Sequence, residues 1–216
     1  MPTALITGAS AGIGLSYAEQ LAATGWHLVL VARREDRLRG LAERLAGEHH
    51  IRAEVLAADL ANDSGVAAVE ARIANGFAIN LVVNNAGFAA RGTVAQLDII
   101  AFEAMLRVNV LALVRFSHAA LKRMTAEGSG AIVNVASGTV FMQMPGNAGY
   151  GSTKNFVMAF TRHMQVEAQA SGVQVQLLIP GVIATEFHEV AGADLSRYPP
   201  ERVMQAGDLV AASCSA

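Results

Sequence analysis

The sequence predicts an α/β fold in which a parallel sheet is covered by helices on both faces. Three observations carry that expectation. Short apolar runs of β character alternate along the chain with longer stretches of helical period, the order that builds strand–helix–strand units. Several of the short runs are apolar at successive positions rather than at alternate ones, which suits strands covered on both sides. A glycine-rich turn follows the first run directly and opens the first helical stretch.

In chain order the strand-like runs are TALIT (3–7), HLVLVA (27–32), AEVLAA (53–58), NLVVNN (80–85), GAIVNVAS (130–137) and VQVQLLIP (173–180). Helical stretches lie near 13–24, 34–47, 63–75, 98–126 and 150–170. The fourth is long for one helix. Asn109 inside it predicts a break or kink rather than one straight rod. Pro199 and Pro200 read as the first turn of a last helix that runs to the final residues with no stop signal and no strand after it. No repeat, low-complexity tract or linker interrupts 1–216, so one domain is expected.

Composition narrows the function classes. The 216 residues are 53% hydrophobic and 16% charged, enough to bury a large core and far from a disordered composition. A net charge of −2 and a pI near 6.3 argue against nucleic acid as the main partner. The single cysteine, Cys214, permits no internal disulfide and reads as an inert small residue in a reducing compartment. The start, MPTALITGAS, lacks a basic segment and meets glycine early, and no run approaches the roughly 18 apolar residues of a membrane span. The expectation is a soluble, cytoplasmic protein.

The turn TGASAGIG occupies 7–14. Gly8 allows the tight turn, Gly12 lets backbone approach a ligand, and Gly14 allows close helix–sheet packing. Unsatisfied N–H groups and the positive dipole end of the following helix favour a phosphate, so a dinucleotide is expected here. The second run ends in Ala32, Arg33 and Arg34, where a site reading NAD(H) would place a carboxylate for the ribose 2′-hydroxyl. Guanidinium groups suit a 2′-phosphate instead, which favours NADP(H) and leaves NAD(H) as the alternative. The competing reading is a solvated helix face, with Arg33, Arg34, Arg37 and Arg39 partly neutralised by Glu35 and Asp36. A nucleic-acid patch is least supported, since the cluster is small and has no interleaved aromatics.

The reactive candidates lie in SGTVFMQMPGNAGYGSTK, from Ser137 to Lys154. Tyr150 and Lys154 are four apart, on one face of the expected helix. A free tyrosine titrates near pH 10, too high for a general acid working at neutral pH, and a nearby ammonium favours the phenolate. Ser137 ends the fifth run, where ligands of doubly wound sheets bind. Its hydroxyl could meet a substrate carbonyl or cap a turn.

The glycine spacing G-x-x-x-G-x-G differs from the G-x-G-x-x-G fingerprint. With Ser137 thirteen residues before Tyr150, it resembles the short-chain dehydrogenase/reductase family in its compact single-domain branch. The extended, epimerase-like branch spaces its glycines differently. The resemblance runs over essentially the whole chain and implies a Rossmann-type, doubly wound parallel sheet. It also implies a catalytic tetrad of Ser137, Tyr150, Lys154 and Asn109, with Asn109 holding a water for proton relay. The cofactor site would take Gly8, Ser10, Gly12, Ile13 and Gly14 from the first turn, with Arg33 and Arg34. Asp59 and Leu60 would lie near the adenine, Asn85, Ala86 and Gly87 would form the turn after the fourth strand, and Pro180, Gly181, Ile183 and Thr185 would hold the nicotinamide carboxamide. Tyr150 and Lys154 would touch the cofactor as well.

The implied reaction is hydride transfer between NADPH and a small-molecule carbonyl or alcohol substrate, a ketone or aldehyde in the reducing direction. A catalytically silent dinucleotide-binding sensor is the alternative; an RNA-binding relative is disfavoured by the pI. The family's habits further imply a homodimer or homotetramer through the helices at 98–126 and 150–170, both apolar on more than one face. Relatives continue into a seventh strand, whereas this sequence stops with its last helix unfinished. The expectation is therefore six parallel strands ordered 3-2-1-4-5-6, the seventh missing, and a natural product longer than 216 residues. Substrate identity belongs to the loop from about 182 to 200, flanked by Phe88, Phe141, Met142, Met144, Phe187 and Met204, which could line an apolar pocket or pack in the core. His27, His49, His50, His118, His163 and His188 show no metal-ligand spacing, and no metal is expected. Trp26 should pack at the turn into the second strand.

Overall fold

The structure, a computed structural model, describes residues 1–90, 92–187 and 198–215. Its centre is a parallel sheet of β1 (Thr3–Thr7), β2 (His27–Ala32), β3 (Ala53–Ala57), β4 (Leu81–Asn84), β5 (Gly130–Val135) and β6 (Val173–Leu178), in the order β3-β2-β1-β4-β5-β6. Leu5 of β1 stands level with Val29 of β2 and with Val82 of β4. Side chains alternate faces along a strand. Ala4, Ile6, Leu28, Leu30 and Val83 therefore feed one hydrophobic layer, and Leu5, Val29, Val31, Val82 and Ile132 the other. This is why the runs read as continuously apolar: each face has a helical layer to cover it.

The first layer is closed by α1 (Gly12–Ala23), through Tyr17, Ala18 and Leu21, and by α2 (Glu35–His49), through Leu38, Leu41 and Leu45. Trp26 packs against this layer, as expected. The second is closed by α3 (Asp63–Ala74), through Val66, Val69 and Ile73, and by the second half of the long helical stretch. That stretch is broken, as Asn109 predicts. Helix α4 (Ile99–Leu106) passes into a π-helical segment at Arg107–Ala112, and α5 (Leu113–Glu127) continues from it. Asp98 caps α4 by accepting from the N–H groups of Ile100 and Ala101, and Gly128 ends α5 in the left-handed region at φ 69°. The last long helix, α6 (Ala148–Ala168), sends Met164 into the second layer and Val157 against Leu113 and Ala136.

The end of the chain departs from expectation. Pro200–Arg202 forms only a 3₁₀ turn. Val203–Met204 is a short strand, β8, paired in parallel with β7 (Val182–Ile183), and α7 (Ala206–Cys214) starts after Gln205. Val203 and Met204, lying alongside the β-branched pair Val182 and Ile183, join a ladder rather than a helix, and Ala184 N–H donates to the Met204 carbonyl to fix the pairing. Helix α7 then docks on α1, where Gln20 Nε2 donates to the Gly207 carbonyl and the Tyr17 and Ser213 hydroxyls share a hydrogen bond. Among the described residues no seventh strand joins the main sheet. No helix among them is long and apolar enough to cross a membrane.

Candidate active site

The carboxyl ends of the strands open onto a cleft of about 760 Å³. Every residue expected at the site lines it except Gly14 and Asn109, which stand behind it. The first wall is the turn after β1. Gly8 holds φ +69°, and a Cβ there would lie 2.7 Å from Asn85 Nδ2. Gly14 has the packing role expected of it, since a Cβ would sit 2.4 Å from the Gly8 carbonyl oxygen. Gly12, at φ +57°, faces the side chain of Thr185, whose methyl would lie 3.0 Å from an added Cβ. Thr7, not anticipated from sequence, ties the turn to the NNAG segment: its hydroxyl donates to Val83 O and accepts from the N–H groups of Asn85 and Ala86. Asn85 Nδ2 donates to Thr7 O at 2.9 Å.

The residues present fit a dinucleotide. Ala11 at the N-cap of α1 offers no side-chain acceptor, so the first N–H groups of that helix are left for a ligand, and anions are favoured there. Asp59, at the end of the cleft expected to take the adenosine, is braced by accepting from Ala61 N and Asn62 Nδ2. Arg33 and Arg34 line the same end. Arg34 donates to Ser10 Oγ at 3.0 Å and to Glu186 at 3.0 Å, and Arg37 donates to Glu186 at 2.8 Å. Arg39 instead pairs with Glu35 along its own helix, so part of the cluster is the solvated face of the competing reading.

The residues expected to carry the chemistry assemble at the other end. Tyr150 and Lys154 lie one turn apart near the start of α6, both buried, with the Lys154 ammonium 6.0 Å from the centre of the Tyr150 ring. Lys154 Nζ donates to the Val135 carbonyl at 2.8 Å. Burial pulls its pKa down from 10.5 to about 8. Ser137 caps the short turn Gly138–Phe141, its Oγ accepting from Thr139 N at 3.3 Å. Asn109, 1% exposed, is clamped from three sides. Its Oδ1 accepts from Phe88 N, and its Nδ2 donates to Phe88 O at 2.9 Å and to Thr153 Oγ1 at 3.1 Å. Thr153 in turn donates to Tyr150 O at 2.7 Å, so the π segment and the Tyr150 turn are joined through one hydroxyl. Gly87 fits between them, since a Cβ there would lie 3.1 Å from Asn109 Oδ1 and 3.5 Å from Lys154 Nζ.

Of the apolar candidates, Phe88, Met142, Met144 and Phe187 line the cleft, and Phe187 packs on Tyr150 at 5.5 Å between ring centres. Phe141 and Met204 do not line it; both are exposed. Residues 188–197, within the expected substrate loop and including His188, lie outside the described residues. Among the described residues no cluster of three or more His, Cys, Asp or Glu side chains could hold a metal ion. Thr153 and Glu186 carry no motif of their own. Only the hydroxyl one residue before Lys154, and an acid placed just after the expected carboxamide segment, could have drawn notice.

The sequence model of the short chain dehydrogenase family matches residues 2–196. The chain belongs to the short-chain dehydrogenase family. With it comes the class of reaction, the transfer of hydride between a CH–OH or carbonyl group and a nicotinamide cofactor. Sulfoacetaldehyde reductase 2 of Chromohalobacter salexigens is 37% identical over 186 residues, covering 85% of this chain and 73% of that protein. Very-long-chain 3-oxoacyl-CoA reductase-A of Danio rerio is 31% identical, covering 94% of this chain and 65% of its own length. The solved structure of a short-chain dehydrogenase from Sphingobium yanoikuyae in complex with NADPH superposes with a TM-score of 0.94 at 40% identity, over all of this chain and 84% of that one.

Proposed function

We propose that this enzyme reduces a ketone or aldehyde with NADPH, using Ser137, Tyr150, Lys154 and Asn109. The observation that carries the reading is the buried Lys154 beside Tyr150 at the cleft wall, with the Ser137 hydroxyl lining the same cleft. A nicotinamide cofactor supplies the hydride. Ser137 Oγ accepts from Thr139 N, which leaves its own proton to donate to a substrate carbonyl oxygen. Tyr150 gives the second hydrogen bond and then its proton to the developing alkoxide. Lys154 spends one N–H on Val135 O and keeps two for the nicotinamide ribose and for water. Its positive charge favours the phenolate and so lowers the barrier to proton donation. Both N–H groups of the Asn109 amide are engaged. A relay water there rests on the spare lone pair of Oδ1, or on a main-chain carbonyl released where the π segment shifts the helical ladder.

The choice of NADPH rests on Arg33 and Arg34 at the adenosine end, and the NADPH complex of the Sphingobium yanoikuyae relative supports it. The names of the two curated relatives, one acting on a small sulfonated aldehyde and the other on a long acyl-CoA, point to a carbonyl substrate without choosing its size. Phe88, Met142 and Met144 favour an apolar group beside the carbonyl. The test is NADPH oxidation across a panel of ketones and aldehydes, together with Tyr150→Phe. The variant should still bind NADPH, measured by its fluorescence, and lose turnover by about a thousandfold or more. Near-normal kcat in that variant sinks the assignment. NADPH binding by the wild type with no turnover on any carbonyl favours a silent sensor.

A further inference from the structure

An acid with no motif of its own stands beside the arginines proposed to set cofactor choice. Glu186 lies in the segment after β7, directly beyond Thr185, and its carboxylate reaches back across the mouth of the cleft to α2 and the residue before it. One oxygen accepts from Arg34 Nη1 at 3.0 Å and from Arg37 Nη1 at 3.2 Å, and the other accepts from Arg37 Nη1 at 2.8 Å. Arg34 meanwhile uses Nε and Nη2 on Ser10 Oγ, at 3.3 and 3.0 Å. A guanidinium has five N–H donors in a fixed fork. Three nitrogens of Arg34 are therefore all engaged, and the one pointing away from the glycine-rich turn is held by Glu186. Arg33 has no ion pair among the described residues. The two arginine contacts hold the Glu186 carboxyl below the usual carboxylate range, Arg37 contributing most.

A ribose 2′-phosphate needs outward-facing guanidinium donors at this end of the cleft, and it brings up to two negative charges. A carboxylate already on the same fork either yields its place or stays as a like charge beside the phosphate. A cofactor with a plain 2′-hydroxyl meets neither conflict. We propose that Glu186 is the intramolecular competitor of the 2′-phosphate for Arg34 and Arg37, a specificity-determining residue that narrows the enzyme's preference for NADPH over NADH. This rests on the NADPH reading above and deepens it. The arginines then do not set cofactor choice alone: their charge is partly cancelled by an acid 149 and 152 positions further along the chain.

The test is fluorescence titration of the purified enzyme with NADPH and with NADH, and competition by adenosine 2′,5′-bisphosphate against 5′-AMP, in wild type, Glu186→Gln and Glu186→Ala. Removing two exposed ion pairs from an anion's competitor should tighten NADPH and the bisphosphate by about three- to tenfold. NADH and 5′-AMP should stay within about twofold. The gain should vanish when Glu186→Gln is placed on an Arg34→Ala, Arg37→Ala background. Unchanged NADPH affinity in both Glu186 variants overturns the proposal, and so does equal tightening of NADPH and NADH. Arg33→Ala with Arg34→Ala separates this from the underlying reading. If that double variant weakens NADPH and NADH equally, the cofactor assignment fails and the inference with it. If it weakens NADPH alone while Glu186→Gln changes nothing, only the role of Glu186 is lost.

Discussion

Lys154 carries opposing demands at the scale of one residue. The proposed reaction needs an ammonium beside Tyr150, yet the fold buries Lys154, whose Nζ donates a hydrogen bond to Val135 O. Burial lowers its pKa from 10.5 to about 8. The sign of the consequence follows from linkage. Below pH 8 both folded and unfolded chains hold the proton, so the folded state bears the whole desolvation penalty. Between pH 8 and 10.5 the unfolded chain holds a proton that the folded one has released, and stability rises with pH. At about 1.4 kcal/mol per pH unit the penalty is on the order of 3 kcal/mol. Lys154→Met should therefore raise the thermal midpoint at pH 7 by several degrees, with the gain shrinking toward pH 10, while turnover is lost. Melts of the two proteins at both pH values check this, and a lower midpoint for the variant at pH 7 contradicts it. The proposed role of Arg33 and Arg34 gives a second residue-scale prediction. Arg33→Ala with Arg34→Ala should raise the Kd for NADPH at least tenfold more than that for NADH, because only NADPH carries the phosphate.

At the scale of elements, the π segment and the start of α6 form one unit because Thr153 accepts from Asn109 and donates to Tyr150 O. Thr153→Val keeps the shape and removes both bonds, leaving a buried Asn109 N–H without its partner. The cost should be about 1–3 kcal/mol, at roughly 2–4 °C per kcal/mol for a chain of this size. It should also lower kcat more than it raises the KM for NADPH, since Asn109 stands behind the reactive end of the cleft. A variant with wild-type midpoint and kcat would show that the clamp is idle. Thr153 also illustrates what a sequence discloses. The strands were legible because each run feeds two hydrophobic layers, and the break at Asn109 because a polar residue interrupts a helical period. Strand ends were not: β5 ends at Val135, and Ala136 and Ser137 beyond it line the cleft. The β7–β8 pair was not, because Val203 and Met204 become a strand only when Val182 and Ile183 lie beside them. Tyr150, Lys154, Ser137 and the glycines announce themselves by spacing. Thr153, Thr7 and Glu186 act through partners that are 44, 78 and 152 positions away and have no local signature.

For the whole molecule, the question is what covers the outer faces of α4, α5 and α6. The sequence shows these helices to be apolar on more than one side, and the fold uses only part of that surface. Leu113, Phe116 and Val157 are buried, while Leu111 is 53%, Phe156 44% and Val166 65% exposed. Phe156 stacks on Phe160 at 5.8 Å between ring centres, a flat aromatic pair with one member open to solvent. Aromatic side chains of this kind are enriched at the cores of protein interfaces. An apolar helix face that its own chain leaves uncovered is stabilised by association with a second copy, and a two-fold axis lets the same patch serve both partners. We therefore expect a homodimer or homotetramer in which α5 or α6 meets its counterpart. Light scattering at micromolar concentration should give a mass of at least two chains. Phe156→Glu with Val166→Glu should shift it to one chain, because a desolvated like-charge cluster across the axis opposes pairing. Wild-type protein running as a monomer, or a double variant that keeps its full assembly, would place the interface elsewhere and leave these exposed residues without a role in association.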